Sequence, residues 1–246
     1  MIALIDADSL IYAAAHKRTP DEAVLYLTGR IDDILEATES NEYALFLTIG
    51  RTFRHNKTEG YKKSRPKQRK EPVFYYIQEY MRTQLNAIFQ RELEADDLVT
   101  YWNNKIEDSI VCSPDKDVIN TNDRCYNYNK NELVEKSIEE INTFFWKQML
   151  MGDSTDSIQG IPGCGDKTSS KLIEELELDR IKGRAIVTNE QMVLSKYIEQ
   201  FGMSNGIEMF YKNYKQLYIL RTNEDFEINQ LEIPEQLNTV KRNEEI

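Results

Sequence analysis

"IALID", residues 2–6, is a short apolar run that closes on an acid, and Asp8 follows two residues later. Such a run reads as a buried strand whose C-terminal end presents Asp6. Outward from it the same kind of run recurs as "YALFLTI" (43–49), "SIVCS" (109–113) and "CYNYN" (125–129). Between these runs the period changes. Pro20 opens an amphipathic helix to about residue 38, with Val24, Leu27, Ile31, Ile34 and Leu35 on one face. "PVFYYIQEYMRTQLNAIF" (72–89) predicts a long helix with a broad apolar face. "LEADDLVTYWNNKI" (93–106) predicts another, with Glu94, Asp96 and Asp97 at its N-terminal end. Residues 138–151 are again helical. Strands alternating with helices predict an α/β fold with a mainly parallel sheet flanked by helices. In such sheets ligands gather at the C-terminal ends of the strands. Acids stand at those ends: Asp6 after the first run, Asp115 and Asp117 after the third.

The chain has 246 residues, 40% hydrophobic and 30% charged, enough to bury a core. No apolar run reaches the roughly 18 residues needed to cross a bilayer. The N-terminus has no basic segment ahead of its apolar run, which argues against a signal peptide. Cys112, Cys125 and Cys164 have no metal-ligand spacing and fit a reducing, cytoplasmic setting. His16 and His55 lie far apart in sequence, so a zinc site is not expected.

The formal net charge is −11, which alone disfavours a nucleic-acid partner. Its distribution says otherwise. Residues 51–70 hold nine Lys and Arg and one acid, while the rest of the chain holds 22 bases and 41 acids. A basic patch on an acidic body is either a solvated face or a steering surface. The tail "TVKRNEEI" (239–246) reads as a frayed end.

Acids at helix starts ordinarily cap. A set of them converging from several strand ends would repel and hold protons, unless a hard divalent cation sits among them. "MGDSTDSIQGIPGCGDKT" (151–168) adds Asp153 and Asp156, then a glycine-rich turn with Gly160, Pro162, Gly163 and Gly165 before Lys167 and Thr168. Glycines there allow close backbone approach, and free amides at the next helix start suit a phosphate.

"LEADD" (93–97), "SPDKD" (113–117), "MGDSTDSIQGIPGCGDKT" and "TFRHNKTEGYKKSR" (52–65) together resemble the 5′-nuclease family. That family includes flap endonucleases, bacteriophage 5′–3′ exonucleases and the 5′-nuclease domain of bacterial DNA polymerase I. The resemblance covers roughly residues 1–220 and looks most like a stand-alone bacterial or bacteriophage-type enzyme of the cytoplasm. It implies a PIN-like core over 1–137 with a helical arch at about 51–71. A helix-three-turn-helix (helix-hairpin-helix) module over 138–222 and a tail over 223–246 follow. It implies two Mg²⁺ or Mn²⁺ ions, with Asp6, Glu94, Asp96 and Asp115 on the first and Asp115, Asp117, Asp153 and Asp156 on the second. Asp97 follows the family pattern beside them.

The same resemblance implies that Lys62, Arg65 and Asp6 serve catalysis. Arg54, Tyr61, Lys62, Lys63, Arg65, Lys67, Arg69 and Lys70 of the arch would bind DNA, with Tyr61 stacking on an unpaired base. Gly163, Gly165, Lys167 and Thr168 of the hairpin would hold the duplex, with K⁺ on the carbonyls of "GIPGCG". The implied activity is hydrolysis of DNA at 5′ ends, flaps or branched duplex, or of RNA–DNA hybrids, by a monomer acting in replication or repair and leaving 5′-phosphates. A non-catalytic branched-DNA binder and a PIN-type ribonuclease are the alternatives. One departure stands out. The family carries an aspartate at the end of the second strand, where "FLTIGRTFR" (46–54) offers only Thr48. Asp8 shares a strand face with Asp6. It either replaces the absent ligand or caps the helix that follows.

Overall fold

The computed structural model describes residues 1–63, 70–184, 187–235, 237 and 241–242. Its elements run β1 (Ile2–Asp6), α1 (Asp8–Ala15), α2 (Pro20–Thr38), β2 (Glu42–Phe46), α3 (Phe53–Lys57) and α4 (Pro72–Thr83). Then come α5 (Ala95–Asn103), β3 (Ser109–Cys112), α6 (Lys116–Ile119), β4 (Arg124–Asn127), β5 (Glu132–Glu135) and α7 (Ile138–Met151). The last are β6 (Gly152–Asp153), β7 (Ile158–Gln159), α8 (Asp166–Ile181), α9 (Asn189–Phe201), α10 (Met203–Leu217), α11 (Asn223–Ile228) and β8 (Lys241–Arg242). The chain divides into two compact units.

The first unit comprises Met1–Thr52, Gln68–Ser137 and Ile219–Ile246. Its sheet has the order β5-β4-β3-β1-β2-β8, parallel from β4 to β2 and antiparallel at both edges. β1 is central, with Ile5 opposite Leu45 and Cys112 and Asp6 opposite Phe46. Ala3, Ile5, Tyr43, Leu45, Ile110 and Cys112 pack into one cluster with Leu10, Leu27, Ile31 and Ile77 of α1, α2 and α4. The alternate residues Leu4, Ala44 and Val111 lie on the other face, where α5 packs. Burial on both faces is why these strands are apolar throughout rather than alternating.

The expected helix 72–89 ends at Thr83. Past it Asn86 takes a left-handed φ of 52°, and Ile88 donates to Leu45 O at 2.7 Å and accepts from Leu47 N at 2.9 Å. Pairing Ile88 with the edge of β2 satisfies main-chain groups that a longer helix would leave bare. The expected strand 43–49 likewise ends at Phe46. β5, β6 and β7 were not expected, and the tail read as frayed contributes β8, whose Lys241 pairs with Tyr43.

The second unit comprises Phe53–Lys67 and Ile138–Tyr218. This division departs from the expected one: the first part of the basic segment belongs with the hairpin helices, and everything from Ile219 belongs with the sheet. Phe145, Met149, Ile173, Val193, Tyr197 and Phe210 form the second unit's core. β6 and β7 make a two-residue hairpin between α7 and the glycine turn. Gly152 and Gly160 are required there by backbone crowding. A Cβ on Gly160 would lie 2.2 Å from Met151 C, and one on Gly152 would lie 2.3 Å from Gly160 N.

Gly160→Ala should therefore lower stability by about 1–3 kcal/mol. Gly29→Ala is the contrast: Gly29 lies inside α2 and its Cβ would meet nothing within 4 Å. That change should stabilise by about 0.5–1 kcal/mol. Chemical denaturation of both variants checks the pair, and a neutral Gly160→Ala would contradict the packing.

Candidate metal centre and nucleic-acid interface

In the first unit the strand ends bring three acids together. Asp6 is 6% exposed. Its Oδ2 accepts the Ser113 hydroxyl at 2.8 Å and its Oδ1 accepts the Asp8 N–H at 3.2 Å. Ser113 Oγ in turn accepts the Asp115 N–H at 3.1 Å, so one hydroxyl links the ends of β1 and β3. Burial, then Asp8 and Asp115, push the Asp6 carboxyl up to about 7, against the Ser113 hydrogen bond. Tyr128 donates its hydroxyl to Asp6 O at 2.8 Å, and burial and the Asp6 charge hold its own pKa well above the ordinary tyrosine value. Ser113 and Tyr128 were not among the expected site residues. Both stand inside quoted strand-end motifs, but nothing in the motifs marks which polar residue points inward.

Asp8 does not cap its own helix. α1 begins at Asp8, with Ala7 in the cap position and no side-chain cap. The Asp8 carboxylate instead reaches 40 residues ahead and accepts the Thr48 N–H at 2.9 Å. Thr48 Oγ1 accepts the N–H of Ala95, the first residue of α5, at 2.8 Å. The side chain therefore makes no cap at α1, and its carboxylate lies against Thr48, past the end of β2.

Glu94 caps α5 in a reciprocal box with Asp97. Asp97 is fully buried, and its carboxylate accepts Glu94 N–H at 3.2 Å and Leu220 N–H at 3.0 Å. These bonds hold the Asp97 carboxylate behind Glu94, in keeping with its expected place beside the ligands and not on an ion. The Thr52 hydroxyl approaches Glu94 Oε1 at 3.4 Å. Asp96 accepts the Asp97 N–H at 2.9 Å, and Asp115 accepts the Asp117 N–H at 2.7 Å.

Among the described residues no three His, Cys, Asp or Glu side chains converge as a metal site. Asp6, Asp8, Asp96 and Asp115 each accept a nearby backbone N–H. The donor set, all carboxylate oxygen, nonetheless has the chemistry that Mg²⁺ and Mn²⁺ take.

In the second unit Asp153 is 6% exposed, and its Oδ1 accepts Thr155 N–H at 2.8 Å and Asp156 N–H at 3.3 Å. The turn closes at Ser157, which takes a left-handed φ of 63°. Asp156 O accepts the Lys62 N–H at 2.8 Å, and Lys62 also holds a left-handed φ, 53°. The acidic turn thus grips the main chain of Lys62, whose ammonium lies 4.8 Å from the Tyr61 ring. Two expected contacts are corrected. Tyr61 is 7% exposed and packs edge-on against His55 at 5.1 Å, so its face is not free to stack on a base. Arg54 is 1% exposed, and its guanidinium donates to Tyr218 O at 2.7 Å, so it anchors α3 instead of meeting a phosphate.

Lys63 is exposed in the second unit, and Lys70, in the first, lays its ammonium 4.0 Å from the Phe74 ring. Arg65, Lys67 and Arg69 lie outside the described residues. At the hairpin, Gly163 takes a left-handed φ of 78°, Gly165 stands in the cap position just before α8, and Lys167 and Thr168 are exposed in its first turn. The neighbouring Asp166 pairs with Lys147 at 2.9 Å.

Comparison with known proteins agrees with these motifs. The family model for the 5′–3′ exonuclease, N-terminal resolvase-like domain, matches residues 1–144. A 5′–3′ exonuclease of Mycoplasmopsis pulmonis is 27% identical over 71% of this chain and 66% of its own length. A DNA polymerase I of Rhizobium leguminosarum is 30% identical over 60% of this chain, a stretch that spans only 16% of that relative. Among solved structures, the bacteriophage T5 D15 flap endonuclease, in a pseudo-enzyme–product complex with DNA and metal ions, shares the fold. Its TM-score is 0.66, with 18% identity and 88% coverage of both chains. The catalytic core of Rad2 with DNA substrate gives 0.56, with 14% identity, covering 90% of this chain and 80% of that one.

Asp6 yields a pH prediction. Folded, it keeps its proton to about pH 7; unfolded, it releases it near pH 4 (~3.9). Its contribution to stability is then complete below about pH 4 and is lost as pH rises toward 7. Without divalent metal, the wild type should lose stability relative to Asp6→Asn across that window. Denaturation curves that run parallel from pH 4 to 7 would contradict the shift.

Proposed function

The chain belongs to the 5′–3′ exonuclease family, and from that premise we propose that it is a divalent-metal-dependent 5′–3′ exonuclease and flap endonuclease acting on DNA. The observation that carries the reading is the crowding of Asp6, Asp8 and Asp115 at the ends of β1 and β3. Carboxylates so placed favour protonation unless a cation joins them.

In the first unit Asp6, Asp8, Glu94, Asp96, Asp115 and Asp117 would hold Mg²⁺ or Mn²⁺, and in the second unit Asp153 and Asp156 would be further metal ligands. When bound, such ions acidify the attacking water and stabilise the leaving oxygen of the phosphodiester. The chain's own residues do the rest. Ser113 holds the Asp6 carboxylate in one rotamer, and Asp97 fixes Glu94 at the start of α5. The Lys62 ammonium neutralises charge on the scissile phosphate, with Arg65 assisting. Lys62, Lys63, Arg65, Lys67, Arg69 and Lys70 draw in the 5′ strand. Gly163, Gly165, Lys167 and Thr168 meet a phosphate of the duplex, and the carbonyls of residues 160–165 are the site for K⁺. Products carry 5′-phosphates. The protein works as a monomer in the cytoplasm, in replication or repair, and accepts RNA–DNA hybrids.

Cleavage of flapped and nicked DNA in Mg²⁺, with EDTA and RNA controls, tests the reading. Asp115→Asn and Asp153→Asn should each lower the single-turnover rate by about 10²-fold or more, with DNA affinity kept, because other residues make the phosphate contacts. DNA binding without cleavage by the wild type would favour the non-catalytic alternative. Cleavage confined to RNA would favour the ribonuclease.

A further inference from the structure

The second unit contains a cleft of about 450 Å³ between the turn after α3, the β7 end of the acidic hairpin and α10. Glu59, Lys63, Ser157, Lys212, Asn213 and Gln216 line it. Three features set it apart from an ordinary surface dent. Gln216 is 5% exposed as a residue, makes no side-chain hydrogen bond among the described residues, and lines the cleft, so its amide is reached by solvent there. Lys63 and Lys212 are both exposed, and neither has an ion-pair partner among the described residues. Asn213 is fixed in place: its amide donates to Gln159 O at 2.7 Å and to Tyr197 Oη at 2.8 Å. The cleft's wall is therefore rigid, while its polar ends point to open space.

We propose that this cleft, formed by Lys63, Lys212 and Gln216, is a subsite for a phosphate group of a nucleic-acid strand. Two ammonium groups outweigh the one carboxylate of Glu59 and leave the cleft cationic in an acidic chain. The Gln216 amide supplies a neutral donor at its floor, the kind of group that fixes a phosphate's orientation rather than its charge. Ser157 and Lys63 adjoin, in sequence, the Asp156 and Lys62 pair whose main chains are bonded at 2.8 Å. A phosphate held here thus lies on the same turn that carries Lys62, and it sets the register of the strand entering beneath it. This assignment rests on the DNA-directed reading above. It adds α10 as a DNA-contacting element, beyond the hairpin and the basic segment.

The test is binding of a fluorescent 5′-flap duplex to the full chain in Ca²⁺, over a range of KCl, for the wild type, Lys212→Ala and Gln216→Leu. One lost phosphate contact lowers the slope of log K against log salt by about 0.7–0.9. Lys212→Ala should show that fall and weaker binding. Gln216→Leu should weaken binding with the slope kept. An unchanged slope and affinity for Lys212→Ala, with its melting curve as wild type, would overturn the subsite. If Gln216→Leu misfolds, Gln216→Glu at the same buried position should weaken binding by adding charge, and tighter binding by it would also overturn the subsite. Flaps with a 5′-phosphate and a 5′-hydroxyl separate the two sources. A terminal phosphate is the ligand if Lys212→Ala erases the difference between them. An internal phosphodiester is the ligand if both lose affinity equally. Cleavage of the same flap by the wild type in Mg²⁺ is read in parallel, so failure of the nuclease reading is seen apart from failure of the cleft.

Discussion

Like-charged carboxylates held together at the ends of two central strands are the constraint around which the first unit is arranged. β1 and β3 are buried on both faces and paired residue by residue, so Asp6 and the start of the Asp115 loop cannot drift apart. Asp6 is consequently desolvated beside two further acids, and its proton becomes hard to remove. The surrounding polar groups answer that strain. Ser113 bridges Asp6 and Asp115, Tyr128 ties the Asp6 main chain, and Thr48 links Asp8 to the first amide of α5. None of these bonds brings a positive charge to the acids, which is why the Asp6 carboxyl holds its proton to about pH 7.

The second unit meets a different constraint, that of holding the main chain of Lys62 on an acidic turn. Lys62 occupies a left-handed backbone conformation that a residue with a side chain rarely adopts. Its N–H is held by the carbonyl of Asp156, on a turn whose own geometry is fixed by Asp153 accepting two amides. Behind that turn, Gly152 and Gly160 bring two backbones closer than any Cβ allows. The glycines, the acids and the lysine are one construction: loosening the glycines would release the turn, and the turn is what positions Lys62.

Much of this was legible in the sequence, and the failures have physical causes. The strands around Asp6 and Cys112 and the helix from Pro20 to Thr38 follow from apolar runs and period alone. Helix α4 stopped early because Ile88 found a partner on β2, a tertiary hydrogen bond that no local period announces. The hairpin β6–β7 is two residues a side, too short for alternation to register. Arg54 and Tyr61 were expected to meet DNA because they match the basic and aromatic positions of the resembled family's element. Both are buried by contacts within the second unit, Arg54 on the carbonyl of Tyr218, 164 residues away. Asp97 and Glu94 show a deeper ambiguity: a capping box and a ligand pair use the same residues at the same helix start, and only the bond to Leu220 separates their roles.

Thr48 and Asp8 carry the sharpest test. If Asp8 supplies the carboxylate that the second strand lacks, the two positions should be exchangeable. Aspartate at 48 would keep an oxygen for the Ala95 amide that the Thr48 hydroxyl now holds. Mn²⁺ affinity measured by calorimetry at neutral pH, on the wild type, Asp8→Ser and the double variant Asp8→Ser with Thr48→Asp, reads this directly. Asp8→Ser should weaken binding by at least about tenfold, and the added Thr48→Asp should bring it back toward the wild type. Wild-type affinity in Asp8→Ser, or loss without any recovery in a folded double variant, would contradict a metal-holding role for Asp8.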